Sequence, residues 1–313
     1  MRLLITGGLG FIGSAMVRRV LTQVPEATVV NLDALTYAGN PHNLDPVLPH
    51  PRYRWVQASI ADAAAVEALF REMAFDAVLN FAAETHVDRS IVDAAPFIET
   101  NVRGTEVLLH AARRYPVGRF VQISTDEVYG SLGPEGLFHE ESPLDPSSPY
   151  AASKAAADLL TLAYAKTYGI RVNITRCSNN YGPYQFPEKF IPLFITRALQ
   201  NQPCPLYGDG LHVRDWIHVE DHVDGIWAVL TQGTPGRIYN IGARNPRPNR
   251  EVAETILRLL GRNPDLITPV ADRLGHDRRY ALDPTRIETE LGWRPRFRWE
   301  EGLAATVHWY AQH

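Results

Sequence analysis

Four glycines at positions 7, 8, 10 and 13, placed directly after an apolar run and directly before a helical pattern, constrain this chain more than any other feature. The run Leu3-Leu4-Ile5 leads into Gly7-Gly8-Leu9-Gly10-Phe11-Ile12-Gly13, a GxxGxxG arrangement. A strand-to-helix turn this tight lets backbone approach a pyrophosphate, whose charge then rests at the positive end of the helix. An ordinary glycine-rich turn has the same letters, and Asp33 separates the two readings. It closes the second apolar run, twenty residues beyond Gly13, where a carboxylate accepts hydrogen bonds from the adenosine ribose hydroxyls and repels a 2′-phosphate. The expected ligand of Gly7, Gly10, Phe11, Ile12, Gly13 and Asp33 is therefore NAD rather than NADP.

Short apolar runs recur at 3–5, 29–32, 77–81, 120–123 and 172–175, and helical periodicity fills 12–24, 63–72, 101–115 and 149–168. That alternation predicts an α/β fold with a doubly wound parallel sheet covered on both faces. Prolines at 183, 187, 192, 203 and 205 then break the chain into shorter pieces. With 313 residues available, two domains are expected: a Rossmann-type NAD-binding domain over 1–178 and a smaller α/β substrate domain over 179–313, the chain crossing back into the first around 214–231. The segments 131–148 and 182–187 read as binding loops. Apolar residues at 45% and charged residues at 21% exclude disorder, and a net charge of -4 excludes a broad nucleic-acid-binding face. Two cysteines cannot build a disulfide framework, no apolar run is long enough to span a bilayer, and the cytoplasm is the expected compartment.

Tyr150 and Lys154 stand one helical turn apart, just after a strand ending in Ser124-Thr125. A tyrosine titrates near ~10, so it becomes a base at neutral pH only where positive charge, from Lys154 and an oxidised nicotinamide, favours its phenolate. Tyr150 is read as the base that takes a sugar hydroxyl proton, with Thr125 orienting that oxygen. Asp126 and Glu127 follow at once. Two adjacent carboxylates at the carboxyl end of a central strand are costly without a function, and together they supply what a dehydration needs: an acid for a departing hydroxyl and a base for a carbon-bound proton.

On these residues the chain resembles the extended short-chain dehydrogenases, and within them the dTDP-glucose 4,6-dehydratase family. The resemblance runs nearly end to end, through Leu35-Thr36-Tyr37-Ala38-Gly39-Asn40, Ala82-Ala83-Glu84-Thr85-His86-Val87-Asp88-Arg89-Ser90, Glu99-Thr100-Asn101-Val102, Ser124-Thr125-Asp126-Glu127-Val128-Tyr129-Gly130, Ser178-Asn179-Asn180-Tyr181-Gly182-Pro183, Pro187-Glu188-Lys189, Arg214-Asp215-Trp216 and Gly275-His276-Asp277-Arg278-Arg279-Tyr280. Related 4-epimerases and decarboxylases resemble the glycines and the YxxxK but usually lack the Asp of Thr125-Asp126-Glu127. The resemblance implies a redox-neutral lyase of deoxysugar biosynthesis, such as the dTDP-rhamnose route, that keeps NAD bound. It implies further NAD contacts at Ser59, Ile60, Ala82, Ala83, Thr100, Tyr150, Lys154 and Asn180. It also implies a nucleotide-sugar site of Thr85, Asn179, Lys189, Phe190, Pro205, Tyr207, Arg214, Asn249 and His276, an acid role for Asp126 at C6, a base role for Glu127 at C5, and a homodimer packed through 101–115 and 149–168. Lys189 and Arg214 are independently the cations a diphosphate requires, and Tyr207 could stack on a base. The chain departs from the family at Ala58-Ser59, where Gly-Asp is common, at Ala34, where Lys is frequent, and in a shorter 131–148 loop.

His218 and His222 flank Glu220-Asp221, but the order does not match a zinc-peptidase motif, and an acid-capped helix start explains it better; no metal is expected. Trp293, Trp299 and Trp309 read as packing anchors. Three functions fit the residues: the 4,6-dehydratase, a sister epimerase or decarboxylase, and a non-catalytic nucleotide-sugar sensor. Asp126-Glu127 favours the first over the second, Tyr150-Lys154 opposes the third, and thymidine and uridine nucleotides remain unranked.

Overall fold

A computed structural model describes residues 1–313. Its strands, in chain order, are β1 (Arg2–Thr6), β2 (Thr28–Asp33), β3 (Tyr53–Gln57), β4 (Ala77–Asn80), β5 (Arg119–Thr125), β6 (Val172–Cys177), β7 (Asn179–Tyr181), β8 (Cys204–Tyr207), β9 (Val213–His218), β10 (Ile238–Ile241), β11 (Pro246–Pro248) and β12 (Ile267–Val270). Seven of them form one parallel sheet in the order β10-β6-β5-β4-β1-β2-β3.

Alternation along the central strands explains why the sheet is covered twice. Leu3 and Ile5 point into one core with Val29, while Leu4 points into the other with Val30 and Leu32. The helices Phe11–Gln23 and Val219–Gln232 close the first face; Ala63–Glu72 and Thr105–Arg114 close the second, with the partly buried Leu160 and Tyr164 of Pro149–Tyr168 packed against it. Both faces dry is the condition that makes short continuous apolar runs strand-forming.

Two strands lay outside the expectation from sequence. β3 is an edge strand whose Arg54, Trp55 and Gln57 face solvent, so it shows no continuous apolar run, and β10 is only four residues long. The helix expected over 101–115 also differs. It opens as a π-helix over Ile98–Gly104 and becomes α-helical only at Thr105–Arg114. Inside the wide turn the Asn101 amide accepts from the Glu84 N–H (2.9 Å) and donates to the Glu84 carbonyl (3.0 Å) and to Ser153 Oγ (2.8 Å). A π-turn at such a junction is a common mark of a functional site.

The chain leaves the large sheet at Ser178, between β6 and β7. β11-β9-β7 and β12-β8 form two small sheets, and the helices Phe190–Leu199, Asn249–Leu259 and Trp299–Gln312 surround a separate core with Trp216 and Trp299. The chain returns to the large sheet through Val219–Gln232 and β10. No helix is long and apolar enough to cross a membrane. Strand order reverses between β1 and β4, so the loops that follow them part and leave a crevice at the carboxyl ends of the strands.

Candidate active site

The glycine turn after β1 is shaped by contact rather than by flexibility alone. Gly7 has φ +68°, and a Cβ there would lie 2.7 Å from the Ala82 nitrogen; a Cβ on Gly13 would overlap the Gly7 carbonyl oxygen. Ala82 is tied to the same turn, donating its N–H to Thr6 Oγ1 at 3.1 Å. The helix Phe11–Gln23 starts at Gly10 with no side-chain cap and no acid in its first turn. Its free backbone donors and positive dipole end suit a pyrophosphate. Asp33 is buried at the end of β2 and is fixed by the Leu9 N–H (2.9 Å) and the Leu35 N–H (2.8 Å); burial raises its carboxyl and those two bonds oppose the shift. Ser59 Oγ accepts from the Ala61 N–H, and Ile60 is buried against Gly104. Ala83 and Thr100 are half-buried beside Ala82 and in the π-turn. These groups fit a dinucleotide, with the pyrophosphate on the uncapped helix and the ribose at Asp33.

The residues expected to react come from three elements. β5 ends in Thr125, the 3-10 turn Asp126–Tyr129 that follows carries Asp126 and Glu127, and the helix Pro149–Tyr168 presents Tyr150 and Lys154 one turn apart, its start capped by Ser148. In register, Thr125 lies beside Cys177 of β6. Thr125 faces the Tyr150 phenol, and the charge that acts most on that phenol is the Glu127 carboxylate. The outcome departs from the expected phenolate: burial first, then Glu127, pushes Tyr150 well above its ordinary value. Lys154 Nζ donates to the Ile123 carbonyl at 2.7 Å, and its own value is lowered by burial. Among the chain's own charges the phenol thus stays protonated, and Lys154 does not by itself overcome the loss of water around it.

The two acids differ. Asp126 is 2% exposed and is raised well above the carboxylate range by burial, by Glu127 and by Asp215. Its Oδ2 has no hydrogen-bond partner. Glu127 is half-buried and is also raised by burial, but Arg273, Arg214 and Lys189 oppose the rise. Both carboxyls are raised, Asp126 the further, while three cations oppose the rise at Glu127, a separation of the kind acid and base catalysis requires.

The residues expected to hold a nucleotide sugar face the same crevice to different degrees. Lys189 Nζ donates to the Thr85 carbonyl at 3.0 Å, and Tyr207 donates its hydroxyl to Asp88 at 3.0 Å across the domains. Arg214 is buried over the Tyr280 ring and donates to the carbonyls of Val213 and Asp277. Asn179 Oδ1 and Asn249 Oδ1 are buried without partners, which is costly unless a ligand supplies one. Phe190 and Pro205 are half-buried, the former stacked on Trp216. Asn180 donates to the Ser178 carbonyl and accepts from His222 Nδ1 at 2.9 Å. Sequence reading missed Arg273, the largest favourable charge on Glu127, although it stands three residues before His276. It also assigned no role to Asp88 and Asp215, although both stand in motifs that carry the resemblance.

The histidines settle differently from either simple reading. His222 is fully buried on Asn180, and His218 stacks on Phe297. His212 and His276 stack at 3.6 Å between ring centroids with planes 13° apart, both turned to Asp272, and His276 is lowered to about 4 by burial. One ring nitrogen of each and a carboxylate oxygen of Asp272 lie within 4.8 Å of one another.

The GDP-mannose 4,6 dehydratase family matches residues 4–306. A dTDP-glucose 4,6-dehydratase of Streptomyces griseus is 53% identical, covering 99% of this chain and 94% of the relative, and one of Neisseria meningitidis is 50% identical, covering 99% and 93%. The crystal structure of DesIV, a dTDP-glucose 4,6-dehydratase from Streptomyces venezuelae with NAD bound, superposes with a TM-score of 0.97 at 53% identity, covering 100% of this chain and 98% of that one. A Thermus thermophilus UDP-glucose 4-epimerase in complex with NAD reaches 0.92 at only 32% identity, covering 99% of each chain, so fold alone does not separate the two activities. Identity of about half over almost every residue, together with the adjacent acids Asp126 and Glu127 after β5, does: the chain belongs to the dTDP-glucose 4,6-dehydratase family of extended short-chain dehydrogenases.

Proposed function

We infer that this chain is a lyase converting dTDP-glucose to dTDP-4-keto-6-deoxyglucose through oxidation at C4, loss of water across C5–C6 and reduction at C6. The observation that carries the reading is the closeness of Tyr150, Thr125, Asp126 and Glu127, each of which acts on at least one of the others. Gly7, Gly10, Gly13 and Asp33 would hold NAD, which would supply a reversible hydride acceptor, so that no second substrate would be needed to regenerate it.

The chain's residues account for the proton movements. Thr125 orients the C4 hydroxyl and Tyr150 accepts its proton, the phenol being drawn down once the oxidised ring's positive charge stands beside it. The C4 ketone acidifies the C5 hydrogen, which the Glu127 carboxylate removes. Asp126, held neutral, gives its proton to the departing C6 hydroxyl. Arg214, Lys189 and Arg273 hold the diphosphate, and Tyr207 stacks on the base. The partnerless oxygens of Asn179 and Asn249 take donors from the nucleotide.

Two exposed apolar residues support a homodimer: Leu159, 58% exposed, lies on the helix expected to pair over 149–168, and Ile98, 57% exposed, lies three residues before the one expected over 101–115. With both cysteines free and buried, the cytoplasm is the compartment we assign.

Purified protein given dTDP-glucose in heavy water, without added NAD, tests the reading. The sugar should lose the mass of one water and carry deuterium at C5. Recovery of an epimer, or release of carbon dioxide from a glucuronate analogue, would overturn it.

A further inference from the structure

Below the catalytic turn the same helix carries a third buried ionisable group. Tyr150, Lys154 and Asp158 follow at intervals of four on Pro149–Tyr168, so they lie along one face. Lys154 is 4% exposed, Asp158 0% and Arg176, on β6, 2%. Arg176 Nε donates to Asp158 Oδ2 at 2.9 Å, and its guanidinium lies over the Tyr129 ring, 4.8 Å from the centroid. Asp158 Oδ1 is buried and has no hydrogen-bond partner. Arg176 pairs directly with this carboxylate, and Lys154 stands one helical turn from it.

An isolated ion pair of this kind is an expensive way to join a helix to a strand, because desolvation consumes most of the attraction. Its position gives it another use. Lys154 has lost its water and keeps a single hydrogen bond, to the Ile123 carbonyl. An ammonium so placed loses its proton unless a negative charge stands close.

We propose that Asp158 is a positioning residue for the dehydration: one helical turn from Lys154 and tied to β6 by Arg176, its carboxylate keeps the Lys154 ammonium charged and fixed beneath Tyr150. The proposal rests on the 4,6-dehydratase reading. The ionisable groups that face Lys154 are Asp158 on its own helix, which raises it most, and the Cys177 thiol from β6; β5 contributes the Ile123 carbonyl. Burial raises Asp158, and Arg176 first and then Lys154 oppose the rise.

The chain has only three lysines, at 154, 166 and 189, so Lys154 can be followed directly by carbon NMR of lysine-labelled protein, its resonance assigned by its loss in Lys154→Met. Asp158→Asn alone leaves two buried cations without a carboxylate and should lower the melting temperature sharply. The deciding comparison is Arg176→Met against Asp158→Asn/Arg176→Met, since the double variant removes the pair without stranding a charge. In Arg176→Met the Lys154 midpoint should be no lower than in the wild type. In the double variant it should fall by about one unit or more, and the alkaline limb of the dehydration profile should fall with it. There kcat should drop roughly ten-fold with KM little changed. Equal Lys154 midpoints in the two variants would overturn the proposal and leave Asp158–Arg176 a structural clamp. A wild-type protein inert toward dTDP-glucose would instead refute the function, and the lysine titration would still decide the role of Asp158.

Discussion

Replacing Asp126 by Asn should stabilise the protein while stopping dehydration, and the stabilisation should depend on pH. Asp126 is 2% exposed, has an unpartnered oxygen, and sits between the Glu127 and Asp215 carboxylates, with Arg214 the main opposing charge. Folding therefore raises its carboxyl above the value of about 3.9 it has in an unfolded chain. Between the two values the folded chain holds a proton that the unfolded chain has released. The wild type is consequently at its best below the unfolded value and loses stability as pH rises through the folded one. The amide cannot ionise, so the variant escapes that loss. Each unit by which folding raises the carboxyl is worth about 1.4 kcal/mol, which for a chain of this size is roughly 2 °C in melting temperature. Thermal melts of both proteins across the range from mildly acidic to mildly alkaline buffer measure the difference. It should be small at the acid end and grow steadily toward the alkaline end, while turnover of dTDP-glucose is lost throughout. A gap that stayed flat or narrowed with rising pH would show that Asp126 is ionised in the folded protein, and the assignment of the acid would fall with it.

Gly13→Ala should gain about 1 kcal/mol of helix propensity and still lose overall, because the new carbon lies 2.9 Å from the Gly7 carbonyl carbon and 3.0 Å from Gly8 Cα, overlaps the Gly7 oxygen, and such overpacking costs about 1–3 kcal/mol; NAD released per chain on denaturation should fall well below that of the wild type. Tyr150→Phe should abolish even the first oxidation, whereas Glu127→Gln should allow it and stall before water loss, seen as reduced-nicotinamide absorbance that rises and persists; near-normal dehydration by Glu127→Gln would remove Glu127 from its role. Tyr207→Phe breaks only the bond to Asp88 and should change KM for the nucleotide sugar less than about three-fold, while Tyr207→Ala, which loses the ring at a cost of about 1 kcal/mol, should raise it several-fold further.

Local spacing determined much of this protein. Gly7, Gly10 and Gly13 lie on one turn, Tyr150 and Lys154 on one helix, and Thr125, Asp126 and Glu127 at one strand end, so their mutual geometry follows from the period of the element that carries them. Runs buried on both faces were legible for the same reason, and β3 was not, because half of its side chains meet water. Tertiary structure alone decided the rest. Arg273 and Glu127 are far apart in sequence and meet only because the carboxy-terminal segment packs over the end of β5, and Asp215 reaches Asp126 from a different sheet. Protonation belongs to this second class: Tyr150 is held neutral, and Asp126 with it, by water lost on packing and by charges from other elements, neither of which any spacing of letters encodes.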